Sequence, residues 1–439
     1  MSSNVRNVTV MKLNAARQIH GRLRLPGDKS ISHRVALIAA LASGSSEISN
    51  FSTARDCAST LTCLQELGVS IERHDQRLIF AGNQKFLAPR RPLDCGNSGS
   101  TLRILTGVLA GYHFTAELIG DESLSSRPMR RIIEPLELMG ARIEATDGKA
   151  PLKVHGSAKL NPITYKLPVA SAQVKSAILF AGLNAEGRTT VIENTPSRDH
   201  TERLFNGFGV PVTTNSDHSV SLDGPARLNG GVITIPGDVS SAAYFVAAAM
   251  LLPQSQLTIE GVGLNPARAA FLSVLSSWGA DISTGDVQTE HNEPFGTIIV
   301  RGGINGVAGE TERTLSRAMI PSLIDELPLL AVVGSQISGG IRIQDASELR
   351  LKESDRLATT VLNLRSMGAE VEEFEDGLWV AGPTPLHGAL IESRNDHRIA
   401  MAFAVAALIA KGETQIEGSE CVAISFPEFF PLLESLAKR

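Results

Sequence analysis

Aromatic residues are scarce in this chain, with two Trp, three Tyr and fifteen Phe among 439 residues. Aliphatic residues and alanine must therefore supply most of the buried surface, and a stacking platform for single-stranded nucleic acid fits poorly. An excess of positive charge is also missing. Lys and Arg number 41 against 46 Asp and Glu, a formal charge of −5, which argues against a general nucleic-acid binder. The four cysteines, Cys57, Cys63, Cys95 and Cys421, form no CxxC pair and have no histidine cluster beside them. They read as free thiols of a reducing cytosol, not as zinc ligands. No apolar run reaches the roughly 18 residues of a membrane span, and the longest, Ile399 to Ala410, reads as a buried helix. The N-terminus lacks the apolar core of a secretory leader. HExxH, GxGxxG and GK[ST] are absent, so neither a metal nor a nucleotide cofactor is expected.

What is present is an ordinary globular composition, 43% hydrophobic and 20% charged, long enough for two or three domains. It is organised by a repeat. A phrase that ends a helix in a large apolar residue, then Gly, a small residue and a short strand, occurs at Gly68, Gly140, Gly209, Gly279 and Gly368. The intervals are 72, 69, 70 and 89 residues, and a helix from Phe429 to Ala437 closes the chain as a sixth unit. The Gly suits a helix C-cap. Each unit also holds an alternating strand, such as Leu257 and Ile259, and an Ala-rich helix apolar on nearly all sides, which predicts burial. Pro-Gly-Asp-x-Ser occurs at Pro26 to Ser30 and again at Pro236 to Ser240, three periods apart. That offset predicts two lobes of three units, with crossings just before each motif and the first strand belonging to the C-terminal lobe. The boundaries are residues 24–237 for one lobe and 1–23 plus 238–439 for the other.

Chemistry is expected where polar loops open the buried helices, because helix N-termini present unpaired N–H groups that favour anions. Lys29, Ser30 and Arg34 lie at one such start, and the loop Gly96 to Arg103 is rich in Gly and Ser, so its amides can approach an oxyanion closely. Further cations open other units: Arg127, Arg130 and Arg131, then Lys175, Arg198, Lys352 with Arg356, and Arg398. A single one of these is ordinarily a solvated charge, but their shared placement can focus a positive field on a small polyanion. Asp325 and Glu353 stand among the cations, either as salt-bridge partners or as proton-transfer groups. His33, His200 and His397 read as hydrogen-bonding scaffold residues, with help in proton transfer as the alternative role. What remains is electrostatic and acid/base catalysis on an anionic substrate.

The motifs LPGDKSISHR, GNSGSTLR, SSRPMRR, ASAQVKSA, SRDHTER, IPSLIDELP, LRLKESDR and NDHRIAMAFA, in this order from about residue 25 onward, resemble those of the 5-enolpyruvylshikimate-3-phosphate synthase family. The resemblance implies an α/β fold, a two-lobed inside-out α/β barrel in which each lobe holds three β-α-β-α-β-β units. It implies transfer of the carboxyvinyl group of phosphoenolpyruvate to shikimate 3-phosphate without a cofactor, by a cytoplasmic monomer whose partners are these small molecules, open when empty and closed with both bound. Carried over by motif, Lys29, Gly99, Arg127, Gln173, Arg356 and Arg398 would hold phosphoenolpyruvate. Lys29, Ser30, Arg34, Ser171, Ala172, Gln173, Arg198, Asp325 and Lys352 would hold shikimate 3-phosphate, with Asp325, Glu353 and Lys29 catalytic. Ala172, Arg198 and Ile424 depart from one branch of the family, the last where that branch has a Lys, and so indicate the more divergent second branch. Gly99 is where glyphosate-insensitive relatives can carry Ala. Three alternatives remain. The first is the sister transferase acting on UDP-N-acetylglucosamine, against which SLSSRPMRR lacks a Cys; the others are a non-catalytic anion-binding relative and an RNA-end-processing one.

Overall fold

The computed structural model describes residues 9–82, 85–304 and 313–439. Its strands form six mixed sheets, and none of them closes into a barrel among the described residues. The second sheet shows the building plan. Leu93–Asp94 leads through the helix Gly99–Leu109 to the parallel strand Thr115–Ile119, and the helix Arg130–Leu138 then leads to the antiparallel hairpin Arg142–Thr146 and Lys149–His155. The third sheet repeats this order with Thr164–Lys166, Gly187–Ile192, Val212–Thr214 and Ser219–Gly224 around the helices Ala172–Gly182 and His200–Gly207.

All five glycines of the repeat phrase have left-handed φ, between +86° at Gly68 and +105° at Gly140. That is the conformation in which a residue with a Cβ is strained, so the spacing of the repeat was set by helix termination. The long fourth interval has a local cause. After Gly279 the hairpin Ala280–Glu290 and Glu293–Ile304 is two to three times longer than its counterparts.

The first helix of each unit is the buried one. Val239–Leu251 and His397–Ile409 are enclosed along almost their whole length, and alanine there lets neighbours approach closely. At Gly107 the approach is extreme, because a Cβ would stand 2.2 Å from the carbonyl oxygen of Ala177 on the neighbouring helix. Side chains gather in two hydrophobic cores. The first takes residues between Ile31 and Ile235; the second takes Val239 to Ala437 together with Leu13, Ile19, Leu23 and Leu25. The four cysteines are buried and free.

The chain passes between the cores at the two Pro-Gly-Asp motifs. Gln18–Arg24 pairs in parallel with Gln256–Gly263, a strand of the second core, and then leads into the helix Lys29–Leu41 of the first. Val232–Thr234 pairs with Ser46–Ser49 in the first core and leads into Val239–Leu251 of the second. The crossings interlock: Asp28 N donates to Pro236 O at 2.8 Å and Asp238 N to Pro26 O at 3.0 Å. Each aspartate also caps its own helix, Asp28 accepting from Ile31 N at 2.9 Å and Asp238 from Ser241 N at 3.0 Å. Gly27 is required by contact, since a Cβ would lie 1.9 Å from Asn50 O. The shared motif therefore builds a double crossing that sets helix N-termini of both cores against one cleft.

Candidate active site

That cleft is a cavity of about 540 Å³. Its wall includes Lys29, Ser30, Gly99, Arg127, Ser171, Ala172, Gln173, Arg198, Asp325, Lys352, Glu353, Arg356 and Arg398, thirteen of the fourteen residues expected from the sequence. The exception is Arg34, which lies behind the wall. Its guanidinium donates to Thr201 Oγ1 at 2.8 Å, Ser30 O at 2.9 Å and Ser176 Oγ at 2.8 Å. Of the other cations in the polar loops, Arg131 lines the cavity, whereas Arg130 faces solvent and Lys175 is buried beneath it. His397 lines the wall. His33 and His200 are buried scaffold residues, bonded through Nδ1 at 2.7 Å to Thr60 Oγ1 and Glu293 Oε1 respectively. Ile424 packs against the second core instead of reaching the cavity.

Sequence reasoning missed several wall residues. Asp56 takes the Lys29 ammonium at 2.9 Å, while the Lys29 amide donates to Asp238 Oδ2 at 3.0 Å. Arg103 donates to Gln173 Oε1 at 2.7 Å, and Gln173 Nε2 donates to Ser100 Oγ at 2.9 Å, so the two expected binding loops are locked to each other. Arg268, only 1% exposed, donates to Ser240 Oγ at 2.7 Å and reaches Asp325 at 3.4 Å. In all, the wall carries ten Lys and Arg against six Asp and Glu, on a chain whose net charge is −5. The positive field is thus concentrated where a small anion would be enclosed.

The two acids are held differently. Asp325 precedes the helix Leu327–Gly334 and is bonded by Arg198; Arg356 and Arg398 approach it at 3.5 Å. Burial pushes its carboxyl up, but Arg198, Arg398, Arg268 and Arg356 outweigh burial and hold it well below the usual range. Glu353 is bonded by Arg356 at 2.6 Å and by Arg127 at 3.2 Å. Burial again opposes the cations, and Arg356, Arg127 and Lys29 keep this carboxyl low too. Arg356 is itself aimed by Asp396, which accepts from Nε at 2.8 Å. The Lys352 ammonium is pulled down by burial, with Asp325 opposing and Arg356 adding to the effect. Three wall arginines keep a buried Nε without a partner, those of Arg127, Arg268 and Arg398. Such donors are costly unless an acceptor arrives. The arrangement therefore offers an anionic ligand cationic donors without partners, beside two ionised carboxylates.

A family model described as EPSP synthase (3-phosphoshikimate 1-carboxyvinyltransferase) matches residues 13–433. The chain belongs to the EPSP synthase family. It is 52% identical to the 3-phosphoshikimate 1-carboxyvinyltransferase of Koribacter versatilis, over 98% of this chain and 99% of that one. It is 46% identical to the same enzyme of Geobacillus kaustophilus, over 95% and 98%. Among solved structures, an EPSP synthase from Acinetobacter baumannii superposes with a TM-score of 0.86 at 37% identity, over 98% of both chains. The EPSP synthase family thus supplies the reaction to which the cavity must be fitted.

Proposed function

We propose that the cavity is where this chain, as an EPSP synthase family member, transfers the enolpyruvyl group of phosphoenolpyruvate to the 5-hydroxyl of shikimate 3-phosphate. The transfer releases phosphate and serves the shikimate route to chorismate and the aromatic amino acids. The observation that carries the site assignment is the convergence of Asp325 and Glu353 with ten cations in one cleft drawn from both cores.

In this reading Lys29, Gly99, Arg127, Gln173, Arg356 and Arg398 take phosphoenolpyruvate, and Lys29, Ser30, Ser171, Ala172, Gln173, Arg198, Asp325 and Lys352 take shikimate 3-phosphate. Arg34 contributes by fixing the Ser30 carbonyl. Asp325 accepts the proton of the attacking 5-hydroxyl, and a proton is delivered to the methylene carbon as the C–O bond forms. The tetrahedral intermediate then loses phosphate and one methyl proton, which regenerates the carbon–carbon double bond. Glu353, with Lys29 beside it, exchanges that proton. An ionised Glu353 cannot donate, and Arg127 and Arg356 keep it ionised. The phosphate and carboxylate of the substrate, by engaging the same arginines, raise Glu353 to where it can carry the proton.

The finer architecture goes with this reading. Two lobes, 24–237 and 1–23 plus 238–439, each hold three β-α-β-α-β-β units arranged as an inside-out barrel, and they close on the substrates. The two cores and the interlocked Pro-Gly-Asp crossings support it. No described helix is long and apolar enough to cross a membrane. The free thiols fit a cytoplasmic setting, and a monomer follows from the resemblance.

The test is phosphate release from phosphoenolpyruvate with purified protein and either shikimate 3-phosphate or UDP-N-acetylglucosamine as acceptor. Release with shikimate 3-phosphate alone is expected. Release with the sugar nucleotide alone would move the chain to the sister reaction.

A further inference from the structure

Beneath the cavity lies a buried charge cluster that the reaction above does not use. Lys175, 1% exposed, sits one turn inside the helix whose N-cap is Ser171. Its Nζ lies 2.6 Å from Glu193 Oε2 and 2.6 Å from Glu202 Oε1. Glu193 directly follows the strand Gly187–Ile192, and Glu202 lies in the first turn of the helix His200–Gly207. One ammonium therefore closes both ends of the segment 194–201. That segment supplies Asn194, Thr195, Ser197 and Arg198 to the cavity wall. Glu193 Oε2 also accepts from Ser197 N at 3.3 Å. Thr201 at the far end is bonded to Ser176 Oγ at 2.6 Å and takes the Arg34 guanidinium at 2.8 Å.

We propose that Lys175 is a positioning residue for the shikimate 3-phosphate side of the cavity: it clamps the segment 194–201 to the helix that carries Ser171 and Gln173, and so holds Arg198 at Asp325. The assignment of substrate to Arg198 rests on the function proposed above. The clamp itself rests on geometry. Burying a lysine between two carboxylates is costly unless the geometry is good, and here the cluster borders a segment that supplies Asn194, Thr195, Ser197 and Arg198 to the cavity wall. Burial pulls the Lys175 ammonium down, and Glu202 and Glu193 outweigh it, so Lys175 itself stays charged at neutral pH.

The experiment is steady-state kinetics on the full chain, with each substrate varied in turn. Lys175→Met is expected to raise the KM for shikimate 3-phosphate roughly tenfold and that for phosphoenolpyruvate by less than about twofold. Glu202→Gln, which keeps the matched Lys175–Glu193 pair, gives a rise of about threefold in the first alone. If Lys175→Met does not fold, Glu202→Gln decides. Combined with Arg198→Ala, Lys175→Met adds less than about twofold, because both act through one side chain. Equal rises in both KM values, an additive double variant, or an unchanged KM in folded Glu202→Gln would overturn the proposal. A wild type inactive with shikimate 3-phosphate would fail the functional reading alone. The clamp would then be read by hydrogen exchange in 194–201, which quickens in Glu202→Gln if Lys175 holds the segment and is unchanged if it does not.

Discussion

The two sides of the cavity wall carry equal numbers of cations and unequal numbers of acids. From the first core come Lys29, Arg103, Arg127, Arg131 and Arg198, with Asp56 as the single carboxylate. From the second come Arg268, Arg317, Lys352, Arg356 and Arg398, matched by Asp238, Asp325, Asp345, Glu348 and Glu353. One side is therefore strongly positive and the other neutral. The acids of the neutral side are answered across the cleft: Arg127 by Glu353, Arg198 by Asp325, and Arg131 by Glu348 through two bonds of 2.8 Å. In the proposed function, anionic substrates compete with those carboxylates for the same arginines. Charge is thus divided unequally between the halves, and in the proposed function the carboxylates become chemically active when ligands take their arginine partners.

That division is broken most severely from the acid side. Glu353→Gln and Asp325→Asn keep shape and remove the proton-transfer group, so kcat is expected to fall by about 10²–10⁴ with smaller changes in KM. Loss confined to KM would return both residues to a structural role. The pH profiles sharpen the point. Since kcat/KM reports the free enzyme and kcat the ternary complex, the acidic limb of kcat should lie at higher pH than that of kcat/KM. Coincident limbs would mean that the substrate does not relieve the arginines around Asp325, the group that must be ionised to act.

From the cation side the effect is smaller and falls on binding. Arg198→Ala removes a charged donor facing Asp325, and the KM for shikimate 3-phosphate should rise about 10–100-fold, the value of one charge-assisted hydrogen bond. Titration of ligand binding by calorimetry would check that the loss is in affinity.

How much of this was legible in the sequence differs between fold and site. The repeat could be read because helix termination leaves a mark at fixed spacing, and Gly68 through Gly368 are held in one backbone conformation. The two Pro-Gly-Asp segments could be read as a pair because they bond to each other and each caps a buried helix. Asp56 and Arg268 left no such mark, since each becomes functional only through a partner brought from a distant segment. Arg34 stands behind the cavity wall for a reason the sequence did contain. It lies five residues after Lys29, about 140° around a helix, so it points away from the side that Lys29 presents and turns back to the Ser30 carbonyl. Lys175 was grouped with the cavity cations because spacing alone does not reveal that Glu193 and Glu202 enclose it.

Gly99 lies on the first side, where the two binding loops are joined. A Cβ there would stand 2.6 Å from Arg103 Nη1 and 3.5 Å from Arg127 Nη1. Gly99→Ala therefore presses on the guanidinium that holds Gln173 and, in the proposed function, also narrows the phosphoenolpyruvate site. Inhibition by glyphosate, competitive with phosphoenolpyruvate, is expected to weaken by about tenfold, within the cost of inserting one methyl group into a packed site, with a lesser rise in the KM for phosphoenolpyruvate. Unchanged inhibition would reject the steric account. Reproduction of the effect by Arg103→Ala would locate it in the displaced arginine.

The smallest expected effect concerns the scaffold beneath the charges. His33 and His397 stand on the buried helices of the two halves, and burial holds both imidazoles well below their ordinary value, with Lys29 adding to the effect at each. A depressed histidine favours folding above the unfolded value of about 6.5 and loses that contribution as pH falls, because the unfolded chain then takes a proton that the folded chain refuses. Asp56, Glu202 and Glu326, raised by burial, act in the opposite sense and are relieved as they protonate. The net slope of stability therefore does not isolate the histidines, but a difference does. His33→Gln loses the 2.7 Å bond to Thr60 and should be less stable than wild type at pH 7 by about 1 kcal/mol. Between pH 6.5 and 5 the wild type alone pays about 1.4 kcal/mol per pH unit for His33. The gap between their urea midpoints should close or reverse over that interval. A gap that stays constant would mean that His33 takes up its proton as readily in the folded chain as in the unfolded one.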